Sequence, residues 1–114
     1  MLALVAGVFI CGCNRTTPIN GVWRSKVGDR DTLHFRDGGL WQIDRLVWVK
    51  GKPYPMVYGG HYIIIDTNHV ELVVETSNGT DAFTNEFYVK GGELLLQELD
   101  PPHTKMIQYG YISQ

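Results

Sequence analysis

Tyr62-Ile63-Ile64-Ile65-Asp66-Thr67-Asn68-His69-Val70-Glu71-Leu72 is the stretch that decides the fold. An apolar β-branched run enters it, and a second run leaves it. Between them stand Asp66, Thr67 and Asn68, whose short polar side chains bond their own backbone in tight turns. On the return, Val70, Leu72 and Val74 fall on one face, while Glu71 and Glu75 fall on the other. That is a period of two, the signature of a strand with one buried face. The segment therefore predicts an antiparallel hairpin. Phe87-Tyr88-Val89-Lys90-Gly91-Gly92-Glu93-Leu94-Leu95-Leu96 predicts another of the same geometry. A third centres on Asp37-Gly38-Gly39, which supplies the positive-φ positions a tight hairpin needs.

The same alternation extends in both directions. Candidate strands are Gly21–Lys26, Asp31–Arg36, Leu40–Trp48, Val57–Ile65, His69–Thr76, Ala82–Lys90, Glu93–Leu99 and Lys105–Ile112. About eight short strands with regular turns predict an all-β, antiparallel sandwich or barrel. Closure into a barrel would remove the exposed sheet edges that invite aggregation. Leu33, Phe35, Tyr62, Ile64, Val70 and Leu72 are assigned inward, as are Val74, Phe87, Val89, Leu94 and Leu96. Segment 46–60 breaks the rhythm. Leu46 to Val49 is apolar on both faces, and Pro53 and Pro55 exclude a central strand. It is expected to be a long loop or an excursion at one end of the barrel.

A chain of 114 residues holds one domain. With 44% hydrophobic and 19% charged residues, its composition is that of a folded globular protein. A net charge of -2 gives no footprint for nucleic acid, so no nucleic-acid partner is expected. The charge is nonetheless uneven: residues 14–52 carry eight bases and four acids, residues 53–114 two bases and eight acids.

Met1 to Gly12 is an uncharged apolar opening, too short to span a bilayer but the length of a signal h-region. It ends on Ile10-Cys11-Gly12-Cys13, followed by an abrupt polar switch at Asn14-Arg15-Thr16-Thr17-Pro18. This junction resembles the lipobox of bacterial lipoproteins: an aliphatic residue, a tolerant position, a small residue, then the cysteine that receives lipid. Gly12 before Cys13 meets the peptidase's need for a small side chain, whereas Ile10 before Cys11 does not. The resemblance implies a signal peptide over residues 1–12, lipidation of Cys13, a tether over 13–19 and a domain over 20–114. It implies a lipid-anchored location in the bacterial cell envelope. Asn14 in place of the Asp that retains such proteins in the inner membrane points to the outer membrane, facing the periplasm.

The succession Gly21-Val22-Trp23, Leu33-His34-Phe35-Arg36-Asp37-Gly38, Gly60-His61-Tyr62-Ile63-Ile64 and Leu94-Leu95-Leu96 resembles small bacterial lipocalin-like domains. The resemblance covers most of residues 20–112. It implies an up-and-down barrel in which Trp23 plugs one end and Gly21 lets the chain pass closely over it. This chain departs from full lipocalins in its brevity and in lacking a late Arg to pack on the first-strand Trp. A reduced barrel is implied, just wide enough to fill with its own side chains or hold one small ligand.

No motif marks an enzyme. His34, His61, His69 and His103 have no paired ligand spacing, so no metal site is expected. No serine stands in a nucleophile elbow, no glycine run forms a phosphate loop, and no catalytic residue or cofactor is assigned. The aromatic cluster Trp41, Trp48, Tyr54 and Tyr58 suits either core filling at a barrel end or the lip of an apolar pocket. Trp41, Trp48 and Tyr58 are the assigned ligand-binding residues. The expected function is non-enzymatic binding of a small apolar ligand or an envelope component. The alternatives are a lysozyme-inhibitor-like protein binder and a purely structural module. The expected partners are the membrane, through the lipid on Cys13, and that ligand or an envelope protein.

Overall fold

The turns form as their chemistry predicts. Gly38 and Gly39 take φ of 86° and 75°, and the Asn68 backbone N–H donates to Asp66 Oδ1 at 2.9 Å. The structure, a computed structural model, describes residues 18–26 and 31–114. The lipobox, Cys13 and the tether as far as residue 17 lie outside the described residues. Eight strands follow in chain order: β1 (Gly21–Ser25), β2 (Thr32–Arg36), β3 (Leu40–Val49), β4 (Lys52–Asp66), β5 (His69–Thr76), β6 (Gly79–Lys90), β7 (Glu93–Gln97) and β8 (Met106–Ser113). Each pairs antiparallel with the next, and β8 returns to β1 to close a barrel. Of the sandwich and the barrel that the alternation allows, this is the barrel, eight-stranded and up-and-down as the lipocalin-like resemblance implies, and there is no helix among the described residues.

Alternation fills the interior. Leu33, Phe35, Trp41 and Ile43 enter from β2 and β3, and Tyr62, Val70, Leu72 and Phe87 from β4 to β6. Leu94, Leu96 and Tyr109 complete the ring from β7 and β8. Ile64 and Val74 pack against this core partly exposed, while Val89, assigned inward, sits at a strand end and is exposed. Trp23 is buried at the end where the chain enters. Its Nε1 donates to the Ile19 carbonyl at 2.9 Å, and Tyr111 stands edge-on to it at 5.2 Å. Ile19, which the sequence places in the tether, is only 1% exposed and belongs to the core. Gly21 has φ 140°, and a Cβ there would lie 2.8 Å from Tyr111 Cε1. Close passage of the chain beside the aromatic plug thus requires glycine.

The 15-residue β4 serves two neighbours in turn. Lys52–His61 pairs with β3, and Tyr62–Asp66 pairs with β5. The handover falls between His61 and Tyr62, directly after Gly59-Gly60. A Cβ on Gly59 would come 2.1 Å from the Trp41 carbonyl oxygen, and one on Gly60 would come 2.2 Å from that of Val73. Only a backbone without side chains passes between both neighbours.

Segment 46–60 is therefore two strands joined by a turn at Lys50-Gly51 rather than a long loop, and the expected excursion takes the form of a two-stranded ribbon. β2 leaves β3 at the Thr32–Asp44 pair, and β5 pairs with β4 only from Tyr62 onward. Beyond those points, among the described residues, β3 and β4 pair only with each other, up to the Val49–Lys52 pair. The prolines fit because of their phase. The Tyr62 N–H donates to the Gly39 carbonyl, so even-numbered residues of β4 aim their N–H at β3. Pro53 and Pro55 have the opposite phase, and the N–H they lack would have pointed to the free edge. Proline is tolerated at such an edge position and not in a central strand.

Candidate functional site

At the end of the barrel from which the ribbon projects, charge enters the inward phase. Arg45 follows Trp41 and Ile43 on the inner face of β3, and Asp31 precedes Leu33 and Phe35 on that of β2. Arg45 Nη2 donates to Asp31 Oδ2 at 2.6 Å. Arg45 Nη1 donates to both carboxylate oxygens of Asp100, at 3.0 and 3.1 Å, 55 residues away in the β7–β8 connection. The guanidinium carbon lies 5.8 Å from the centre of the Tyr58 ring. Burial opposes the charge on Arg45, but the Asp100 and Asp31 carboxylates outweigh it and hold the guanidinium above its ordinary range. Its Nε is buried with no hydrogen-bond partner among the described residues.

Around this triad lies a pocket of about 490 Å³. Leu46, Val47 and Trp48 border it along β3, Leu99 and Ile107 face them, and Tyr109 lies at its inner side. Tyr109 is 3% exposed. Burial, foremost, and then the charge of Asp31 push this phenol well above its ordinary pKa. Burial raises Tyr58 in the same direction, with Arg45 partly opposing it. The pocket thus combines apolar side chains (Leu46, Val47, Trp48, Leu99 and Ile107) with a neutral phenol and four ionised side chains, Asp31, Arg45, Glu98 and Asp100. The Glu98 carboxylate accepts the backbone N–H groups of Lys105 and Thr104, which hold it below the usual carboxylate range.

The three aromatic residues assigned to a ligand lie in different settings. Trp41 is buried at 3% exposure, and its Nε1 donates to the Val73 carbonyl at 3.0 Å. Tyr58 meets it edge-on at 6.1 Å and lies beneath Arg45. Trp48 borders the pocket and is 55% exposed. Arg45, Asp31, Asp100 and Tyr109 were not singled out from the sequence. The available signal was a charge in the inward phase of two strands, at Arg45 and Asp31.

Among the described residues no group of three His, Cys, Asp or Glu side chains is placed to hold a metal ion. His34 bonds Asp44 at 3.1 Å, His61 pairs with Glu75, and His69 bonds Asp66 at 2.8 Å. None of these histidines lines the mouth pocket. A smaller pocket of about 220 Å³ at the opposite end includes His34 and Asp37, but not Asp44, the carboxylate that bonds His34.

No family model, curated protein or solved structure matches this chain.

Proposed function

We propose that this protein is a lipid-anchored binding module of the bacterial envelope. It is held through Cys13 at the outer membrane facing the periplasm, and it takes a ligand with an apolar body into the open end of the barrel. The observation that carries the binding reading is the mouth pocket. Its volume of about 490 Å³ falls among those of small-molecule sites, and Leu46, Val47, Trp48, Leu99 and Ile107 give it apolar surface beside the charged triad. The buried Tyr109 hydroxyl at its base would orient a polar end of the ligand. The lipobox carries the anchoring. No catalytic step is assigned.

The test of binding is titration with N-phenyl-1-naphthylamine, a neutral apolar fluorophore, followed by its emission and by quenching of the tryptophans. Saturable binding of one probe per chain is expected. Ile107→Arg, which fills the pocket with a charged side chain, should abolish it, and Ile63→Ser on the outer face should leave it intact. Equal binding by both variants overturns the assignment to the mouth. For the anchor, mass spectrometry of the amino terminus should find diacylglycerol on Cys13, and Cys13→Ser should release the protein from membranes.

The protein-binding reading, lysozyme-inhibitor-like in type, draws on the ribbon. Trp48, Val49 and Tyr54 stand exposed there beside Lys50 and Lys52. Inhibition of a purified lysozyme tests it directly.

A further inference from the structure

The two edges of the β3–β4 ribbon differ chemically. The β4 edge is closed to strand pairing, because Pro53 and Pro55 put pyrrolidine rings where N–H groups would point outward. The β3 edge is open. Even-numbered residues of β3 carry the bonds to β2, through the pairs Leu40–Arg36, Gln42–His34 and Asp44–Thr32. Leu46 and Trp48 continue that phase past the end of β2, and neither has a strand beside it among the described residues. Each therefore offers one N–H and one C=O to an incoming backbone. The 490 Å³ pocket lies along this open edge, with Leu99 and Ile107 on its far side. Of the ionised side chains lining it, three are carboxylates (Asp31, Glu98 and Asp100) and one is a guanidinium. Asp100 is the most accessible of those in the Arg45 triad, at 58% side-chain exposure.

We propose that the mouth accepts an extended, basic polypeptide segment of a partner protein, which adds as a strand to Leu46–Trp48 of β3. This rests on the reading of the mouth as the binding region and names its occupant. Main-chain hydrogen bonds to an exposed edge supply affinity in strand addition, and pockets for alternate side chains supply selectivity. Here the inward side chains of the segment would meet Leu99, Ile107 and the Tyr109 hydroxyl. A lysine or arginine among them would meet the carboxylate excess at the rim. The prolines on β4 confine the addition to one edge.

Three capped synthetic pentapeptides test this against the intact protein: Val-Thr-Lys-Thr-Val and Val-Thr-Glu-Thr-Val, whose first, third and fifth side chains share one face, and the lysine peptide N-methylated at alternate amides. Binding is followed by titration and by hydrogen exchange at the Leu46 and Trp48 amides. The lysine peptide should bind and slow exchange of both amides by about tenfold or more, the scale of a well-formed hydrogen bond in a strand ladder. The acidic peptide should bind about tenfold more weakly or worse, and so should the methylated one, which keeps the side chains but loses ladder donors. Leu46→Pro should remove binding. Because that variant disturbs the ribbon if it misfolds, the exchange measurement on the unsubstituted protein is decisive. Lysine-peptide binding without protection of Leu46 and Trp48, or equal binding of its methylated form, overturns strand addition and leaves the mouth as a side-chain pocket. Binding of N-phenyl-1-naphthylamine but of no peptide overturns the polypeptide occupant alone. If neither binds, the mouth reading falls with it. Protection that rises with protein concentration in the absence of peptide assigns the edge to a second copy of this chain instead.

Discussion

At the scale of single residues, a tight constraint is the backbone passage at Gly60. A methyl group there would stand 2.2 Å from the Val73 carbonyl oxygen, a backbone atom that moves only if β5 moves. Gly60→Ala should therefore destabilise the fold by about 1–3 kcal/mol, the cost of overpacking a close-packed interior. Gly110→Ala is the control. Its new methyl would meet Lys26 Cε at 3.0 Å, the far end of a flexible side chain, and the cost should stay below about 1 kcal/mol. Urea unfolding of the two variants side by side measures the difference. Trp23 sets a second constraint. Trp23→Ala should cost about 3–5 kcal/mol, because it empties a buried aromatic site and leaves the Ile19 carbonyl without its donor. Ile19 should then lose its protection from proteolysis together with the segment that leads into β1.

Strands and hairpins are the scale at which the sequence was most informative, and the reason is local. Turn chemistry at Asp37-Gly38-Gly39, Asp66-Thr67-Asn68 and Gly91-Gly92 acts over a few residues, and alternation is read within one strand. The start of β4 was not legible, because Pro53 and Pro55 exclude a central strand but permit an edge whose vacant N–H positions face outward. Whether a strand is central depends on where β2 and β5 end, which no local pattern states. The mouth was less legible still. Arg45 finds Asp100 across 55 residues of chain, and Ile19 reaches the core only because β1 and β8 meet beside it. The ribbon carries its own prediction. Trp48→Ser and Tyr54→Ser replace side chains that are 55% and 51% exposed. Each should change stability by less than about 0.5 kcal/mol. Trp48→Ser should nonetheless weaken ligand binding at the mouth. Thermal melts and titrations on the same samples separate the two effects.

For the whole molecule, burial of phenols predicts how the barrel responds to alkali. Tyr58 and Tyr109 have pKa values raised above the ordinary phenol, chiefly by burial. Above about pH 10 the unfolded chain releases those protons while the folded chain retains them. Their contribution to stability is therefore complete below that pH and is lost as pH climbs toward the folded values. The melting temperature should fall through this range, with phenolate absorbance from Tyr58 and Tyr109 emerging together with unfolding. Tyr109→Phe should flatten the alkaline fall, and an unchanged profile in that variant would refute the attribution.

The closing strand has a practical consequence. Because β8 returns to β1, Asn20 Nδ2 lies 3.4 Å from Gln114 Oε1, so residues 20 and 114 are neighbours at the pole remote from Arg45. A biosensor surface that grips the protein through a tag after Gln114 would turn the opening toward the analyte stream. Random amine coupling would sometimes capture it through Lys50 or Lys52 and bury the same opening against the matrix, so the two immobilisations should report different active fractions for any ligand that enters there.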